Sequence, residues 1–252
     1  MSESNHLPSS ADLAGKTVVV IGASSGQGLA VSRAASEIGA TVVMASRTAS
    51  KLEAAVKTVG SGARGVATNM LDPTSITALF DDVGELDHLV VTAVADEVKN
   101  RSRFVDMTDE IATRSLDKFW GSFFASRAAA PRIRPGGSIT LTSSIAAFDP
   151  PADGGFAMMN AASAAVATLG RSLAAELKPI RVNVIAPGVV DSGVWDSMSD
   201  TERDGFRSGY GSSLPVGHLG RPEELAAAFL YMMTNTYTTG SVLPVDGGAL
   251  LT

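Results

Sequence analysis

The chain reads as an α/β protein, a doubly wound parallel sheet of about seven strands with helices on both faces. Three observations predict this. Short β-branched runs alternate with longer helical stretches along the 252 residues, which requires crossover connections and a parallel sheet. The runs are almost wholly apolar, as strands covered on both faces are. No low-complexity linker or internal repeat breaks the alternation. Residues 11–252 are therefore expected to form one domain, preceded by a disordered tail over residues 1–10.

Each element follows from its own stretch. Thr17 to Ile21 (TVVVI) is the first strand, followed by a glycine-rich turn and an alanine-rich helix reaching Gly39. Thr41 to Ala45 (TVVMA) is the second strand, and Leu52 to Val59 supports the next helix. Arg64 to Thr68 is a third, weaker strand. Pro73 opens a helix to Val83 with Asp72 as N-cap, because proline suits the first helical turn and a carboxylate accepts from a free N–H there. His88 to Thr92 (HLVVT) is the fourth strand, and one long helix is expected over Thr108 to Ala130. Ser138 to Thr142 (SITLT) is the fifth strand, Phe156 to Leu177 an alanine-rich helix, and Arg181 to Ala186 the sixth strand. Pro222 starts another helix, and Ser241 to Val245 closes the sheet.

Composition excludes several classes of function. The net charge is −6, from 26 acidic and 20 basic side chains, and the basic residues form no cluster. Nucleic-acid binding through a basic face is thereby disfavoured. The chain has no cysteine, which rules out disulfides, thiolate metal sites and cysteine nucleophiles. The opening MSESNHLPSS lacks the basic start and apolar core of a signal peptide. No apolar run approaches the roughly 18 residues of a membrane span. A cytoplasmic protein with no membrane and no metal partner is expected, since His6, His88 and His218 are scattered.

After the first strand comes Gly22-Ala23-Ser24-Ser25-Gly26-Gln27-Gly28. Glycines here let the backbone turn tightly and approach a pyrophosphate, whose charge rests at the N-terminus of the following helix. A tight strand-to-helix turn would use the same residues, but the position after the first strand favours a Rossmann-type dinucleotide site. GASSGQG is similar to the dinucleotide loop of the short-chain dehydrogenase/reductase family. RVNVIAPGVVDS (Arg181 to Ser192) and TGSVLPVDGG (Thr239 to Gly248) resemble that family's segments after the sixth strand and at the last strand. The resemblance covers residues 12–250 or so. It implies a nicotinamide cofactor contacted by Gly22, Ser24, Ser25, Gly26, Gln27 and Gly28, by Pro187 and Gly188, by the backbone near Val190, and by the Ser192 hydroxyl. Asn69 stands where the family usually has an Asp against adenine, with Met70 beside it, and Ala93 is expected close to the adenosine.

The second strand ends in Ala45-Ser46-Arg47-Thr48, without the acidic residue that an NAD site places against the ribose. Ser46 and Arg47 suit a 2′-phosphate, which a guanidinium binds bidentately. NADP (NADPH) is expected, with NAD the second choice. A solvated arginine is the alternative.

The catalytic residues depart from the resemblance. Relatives use a Ser, a Tyr and a Lys four residues later, with an Asn on the preceding long helix. Ser144, ending GSITLTSS, matches the serine, but Phe156 falls at the tyrosine position and Asn160 at the lysine position. Lys118, in LDKFWGSF, falls where the Asn is expected, so Lys and Asn look exchanged. The expectation is that the Lys118 ammonium polarises the substrate or supplies a proton, with Asn160 holding it or the ribose. The alternative is a solvated Lys118 in a dead site.

Val194, Trp195, Met198, Phe206, Tyr210 and Leu214, in a substrate lid at about 191–216, would line a mostly apolar pocket with Phe148 and Phe156. Tyr210 is read as lid packing rather than as an acid, Asp153 as a cap or solvent group, and His218 as structural. The leading reading is an oxidoreductase moving a hydride between NADP and an apolar carbonyl, imine or activated alkene. The alternatives are a non-catalytic dinucleotide-binding protein and a fold recruited for non-redox chemistry. The resemblance implies a homotetramer; alanines along Phe156 to Leu177 support only close helix packing.

Overall fold

The computed structural model describes residues 13–93, 100–151, 154–192 and 199–252. Seven parallel strands lie in the order β3-β2-β1-β4-β5-β6-β7: β1 Thr17–Ile21, β2 Thr41–Ser46, β3 Ala63–Ala67, β4 Leu86–Val91, β5 Ile133–Thr142, β6 Arg181–Pro187 and β7 Val242–Val245. The helices are α1 Gly26–Glu37, α2 Ala49–Val59, α3 Pro73–Val83, α4 Asp109–Arg114, α5 Asp117–Ala129, α6 Ala157–Glu176, α7 Asp200–Ser213 and α8 Pro222–Thr234. The order reverses between β1 and β4, and such a switch point opens a crevice at the C-terminal ends of the strands.

Alternation along each strand builds two apolar layers. Val18, Val20, Val42 and Met44 meet Val31 of α1 and Phe229 and Met232 of α8. Val19, Ile21, Val43, Leu89 and Val91 meet Phe80 of α3, Ala125 of α5 and Val166 of α6. β4 and β6 are buried at every residue, which suits their mainly apolar spelling, and the polar residues they carry, Asp87, His88, Arg181 and Asn183, are buried with them. As expected, Asp72 caps α3, accepting from the Thr74 N–H at 2.9 Å.

Two expectations change. The single helix over Thr108 to Ala130 is broken into α4 and α5 at Ser115–Leu116. The Ser115 hydroxyl donates to the Ile111 carbonyl at 2.8 Å, a back-bond that bends helices. The lid segment contains α7, opened by a capping box in which Ser199 and Glu202 exchange hydrogen bonds. The expected tail, Val94, Asp153, Val194, Trp195 and Met198 lie outside the described residues.

A polar network fastens the N-terminal edge of the sheet. Arg181 donates to the carbonyls of Met232, Met233 and Thr238, at 2.7, 2.6 and 3.3 Å. His88, 4% exposed, shares a 2.9 Å hydrogen bond between its Nδ1 and the Ser138 hydroxyl. Burial, with the Arg181 charge adding to it, holds the His88 imidazole at about 4, below the ordinary 6.5. Above pH 6.5 the ring is neutral in folded and unfolded chains alike, and its titration contributes nothing. As pH falls from 6.5 to 4, only the unfolded chain gains the proton, and about 3 kcal/mol of stability is lost. Urea midpoints should therefore fall more steeply over that interval for the native protein than for His88→Asn; parallel profiles would remove His88 from the acid sensitivity.

Candidate active site

At the C-terminal edge the backbone leaves β1 through a cradle that tolerates no side chain. Gly22 has φ +96°, and a Cβ there would lie 2.5 Å from the Ala93 nitrogen. A Cβ on Gly28 would strike the Gly22 carbonyl and the Thr92 hydroxyl. The Gly22 and Ala23 amides are fixed on the Ala45 carbonyl at 2.8 and 3.2 Å, and the Ala93 amide on that of Ile21 at 3.1 Å. Ser25 stands at the N-cap of α1 without a side-chain capping bond. The first-turn N–H groups therefore remain for an anion, as a pyrophosphate requires. The buried Gln27 Oε1 finds no partner among the described residues. Bare glycines, uncapped amides and an unsatisfied amide oxygen all fit a dinucleotide.

The adenosine side is partly formed. The Ser24 and Ser46 hydroxyls are 2.9 Å apart, tying the loop to the end of β2. Arg47 is exposed, and no ion pair engages it among the described residues. It lies in the field of Asp117, whose carboxyl is raised by burial and pulled back by Arg114 and Arg47. The Asn69 carboxamide oxygen accepts from the Leu71 N–H at 3.1 Å, and its second lone pair leaves the expected adenine contact open. The Met70 side chain is 7% exposed and covers Gly121 of α5, where a Cβ would lie 2.5 Å from its sulfur.

The segment expected to meet the nicotinamide lies between β6 and β7. The Gly188 amide donates to the Val245 carbonyl at 3.0 Å, and a Cβ there would lie 2.8 Å from the Asp246 Cα. Val190 bridges to Gly220, which places Ser192 within 3.5 Å of a Cβ on Gly26. Pro187 ends β6 directly beneath this turn.

Ser144 follows β5, and its hydroxyl accepts from the Ala146 N–H at 3.2 Å. Its neighbour Ser143 faces the other way, donating to the Ser163 carbonyl of α6 at 2.7 Å. Lys118 is only 4% exposed, and its amine donates to the Ser163 hydroxyl at 3.2 Å. Asn160 was expected to hold that amine or the ribose; the amine reaches α6 at Ser163, three residues further along. The Asn160 carboxamide has no hydrogen bond among the described residues. Phe156, at the N-cap of α6, carries the Arg101 guanidinium 5.0 Å from its ring centroid.

Other candidates take structural places. Tyr210 stacks on Phe206 within α7 at 5.5 Å, and burial, then Asp246, keeps its phenol above the ordinary range. Leu214 is buried, and Phe148 is 47% exposed. The His218 Nδ1 pairs with the Leu219 carbonyl at 2.8 Å. Sequence reasoning missed Arg101 and Ser163, which only tertiary packing brings to this edge. It also missed a 370 Å³ cavity beside the loop, between Gly26, Arg33, Asp191, Arg203 and Arg207. Across its mouth Arg207 grips Asp191 with two bonds, of 2.9 and 3.0 Å.

A parallel sheet with a glycine cradle at its switch point defines a dinucleotide-binding class, and comparison narrows it. The family model described as Enoyl-(Acyl carrier protein) reductase matches residues 22–249. The 3-oxoacyl-(acyl-carrier-protein) reductase FabG of Escherichia coli (strain K12) is 31% identical over 244 residues, 93% of this chain and 97% of that one. A small-chain dehydrogenase solved in complex with NADPH is 32% identical with a TM-score of 0.80, over 94% of this chain and all of that one. An NADPH-bound short chain oxidoreductase from Pseudomonas aeruginosa PAO1, described as containing an atypical catalytic center, is 29% identical with a TM-score of 0.82, over 93% and 96% of the two chains. The chain belongs to the short-chain dehydrogenase/reductase family. No helix among the described residues is long and apolar enough to cross a membrane.

Proposed function

We propose that this protein is an NADP-dependent oxidoreductase that works on a small, mostly apolar carbonyl, imine or activated alkene with an unusual proton source. The bound nicotinamide supplies or accepts the hydride. Gly22, Gly26 and Gly28, with the amides of α1, seat the pyrophosphate; Ser46 and Arg47 take the 2′-phosphate; Pro187, Gly188, Val190 and Ser192 set the nicotinamide end. Ser144 orients the substrate oxygen. The Lys118 ammonium, with Ser163 as its relay, supplies positive charge and a proton beneath Asn160, which faces the ribose. Phe156 excludes water and has no proton to give.

The observation that carries this reading is the burial of Lys118 against Ser163. A lysine on a surface of no consequence would snorkel its amine to solvent. The second reading, a non-catalytic dinucleotide-binding protein, draws its support from the phenyl ring at Phe156 and the uncharged Asn160. An NADPH-oxidation screen over ketones, enones and imines, with Ser144→Ala as control, separates the two: consumption that needs Ser144 supports the enzyme, and none with any class supports the binder.

For the cofactor, NADPH-bound relatives and the exposed Arg47 support NADP over NAD. Arg47→Ala should weaken NADPH binding about tenfold and leave NADH nearly unchanged. Fluorescence titration with both nucleotides checks this, and equal losses would refute the phosphate role. The assembly we propose is a cytoplasmic homotetramer of single-domain chains. Its support is the α5 face where Trp120, 43% exposed, stacks on Phe124.

A further inference from the structure

We propose that Arg207 is a positioning residue for the nicotinamide half of the cofactor: it clamps Asp191, and through Asp191 it keeps Ser192 against the glycine loop. The inference rests on the NADPH seat proposed above and adds to it a residue from outside that seat.

Arg207 lies midway along α7 and reaches back to the segment that follows β6. Its Nε and Nη2 donate to the two carboxylate oxygens of Asp191, at 2.9 and 3.0 Å. Its Nη1 donates to Asp204, one turn earlier on the same helix, at 3.3 Å. A lone exposed ion pair holds little, but a two-pronged arginine–carboxylate pair within a network fixes direction as well as distance.

A clamp needs a fixed base, and α7 provides one. Leu214, at its end, is buried. The Val216 amide then donates to the Gly247 carbonyl at 3.2 Å, and a Cβ on Gly248 would lie 2.6 Å from the Pro215 Cγ. The chain after α7 is thus packed on the turn that follows β7. The clamped segment has space beside it instead. Its main chain is pinned where the Asp191 amide donates to the Gly220 carbonyl at 2.8 Å. Against Asp191 and Ser192 opens the 370 Å³ cavity, with Leu29 and Arg33 of α1 and Pro222 of α8 also in its wall. Nothing steric stops the segment from relaxing into that space, and the fork on Asp191 opposes the movement. Ser192 is the next residue, and its Cβ would lie 3.5 Å from a Cβ on Gly26. Small displacements of a positioning group are costly at a reacting centre, so an ion pair outside the seat governs how firmly the nicotinamide end is held.

The test is calorimetric titration of the full-length protein with NADPH and with adenosine 2′,5′-bisphosphate, which lacks the nicotinamide half. Arg207→Met should weaken NADPH binding about fivefold and leave the bisphosphate unchanged. Arg207→Lys should recover only part of the loss, for want of the fork. Asp191→Ala should cost NADPH as much as Arg207→Met, and the double variant no more than either. In the cofactor-free protein, deuterium uptake over residues 186–192 should rise in Arg207→Met, since the Asp191 amide loses protection. Equal losses for the two ligands would reduce Arg207 to a support of the fold. Unchanged NADPH affinity, additive losses in the double variant or unchanged uptake would each overturn the clamp. Should Arg207→Met lower the melting temperature, Arg207→Gln provides the same comparison. A native protein that binds no NADPH would sink the cofactor reading and the clamp together. Native binding that Arg207→Met leaves intact would sink the clamp alone.

Discussion

Replacing Lys118 by methionine should lower NADPH oxidation by about 10²–10⁴-fold, the usual worth of a positioned acid, with little change in NADPH affinity. Methionine fills nearly the same volume without charge, and the site is buried, so the fold should tolerate it. The amine is bonded to the Ser163 hydroxyl, which makes Ser163→Ala the companion experiment. If Ser163 relays the proton, its loss should lower turnover and shift the pH–rate profile while KM stays nearly constant. Turnover unchanged in Lys118→Met would leave Lys118 as packing and favour the binder. A large fall in NADPH affinity would assign the amine to the cofactor instead.

Gly28→Ala should abolish saturable NADPH binding. The added Cβ collides with the Gly22 carbonyl and the Thr92 hydroxyl, so the loop must open or α1 must shift. Overpacking of this kind costs about 1–3 kcal/mol, equivalent to a melting temperature lower by roughly 2–12 °C for a chain of this size. Gly205→Ala in α7 is the matched control, since a Cβ there meets nothing within 4 Å. It should leave binding untouched and raise stability slightly through helix propensity. Normal NADPH titration in Gly28→Ala would mean that the pyrophosphate is seated elsewhere.

The central strands were legible because both faces of the sheet are covered there, so apolar runs such as VVVI in β1 and LVV in β4 stand out. α7 was not read as a helix, since its three glycines and many polar residues leave only Phe206 and Tyr210 to mark the helical period. Its start nonetheless stands in the sequence as Ser199-Asp200-Thr201-Glu202, the spacing of a capping box. The break at Ser115 was not legible, because a serine reads the same whether its hydroxyl faces water or bends back to Ile111. In the site, the glycine loop could be read directly, as its geometry is local. The contacts of Lys118 with Ser163 and of Arg101 with Phe156 could not. Each joins residues distant in the chain, and side-chain type alone does not reveal a partner that tertiary packing selects.

The fan of carbonyls gripped by Arg181 sits at the opposite rim from the glycine cradle, with the seven residues of β6 between them. That separation is roughly 20 Å at the rise of an extended chain. One rim rivets the last helix to the sheet, and the other is left free to vary. Loops grafted onto the reactive rim can thus alter which molecules are accepted without loosening the rivets. A scaffold divided in this way is open to redesign from one side only.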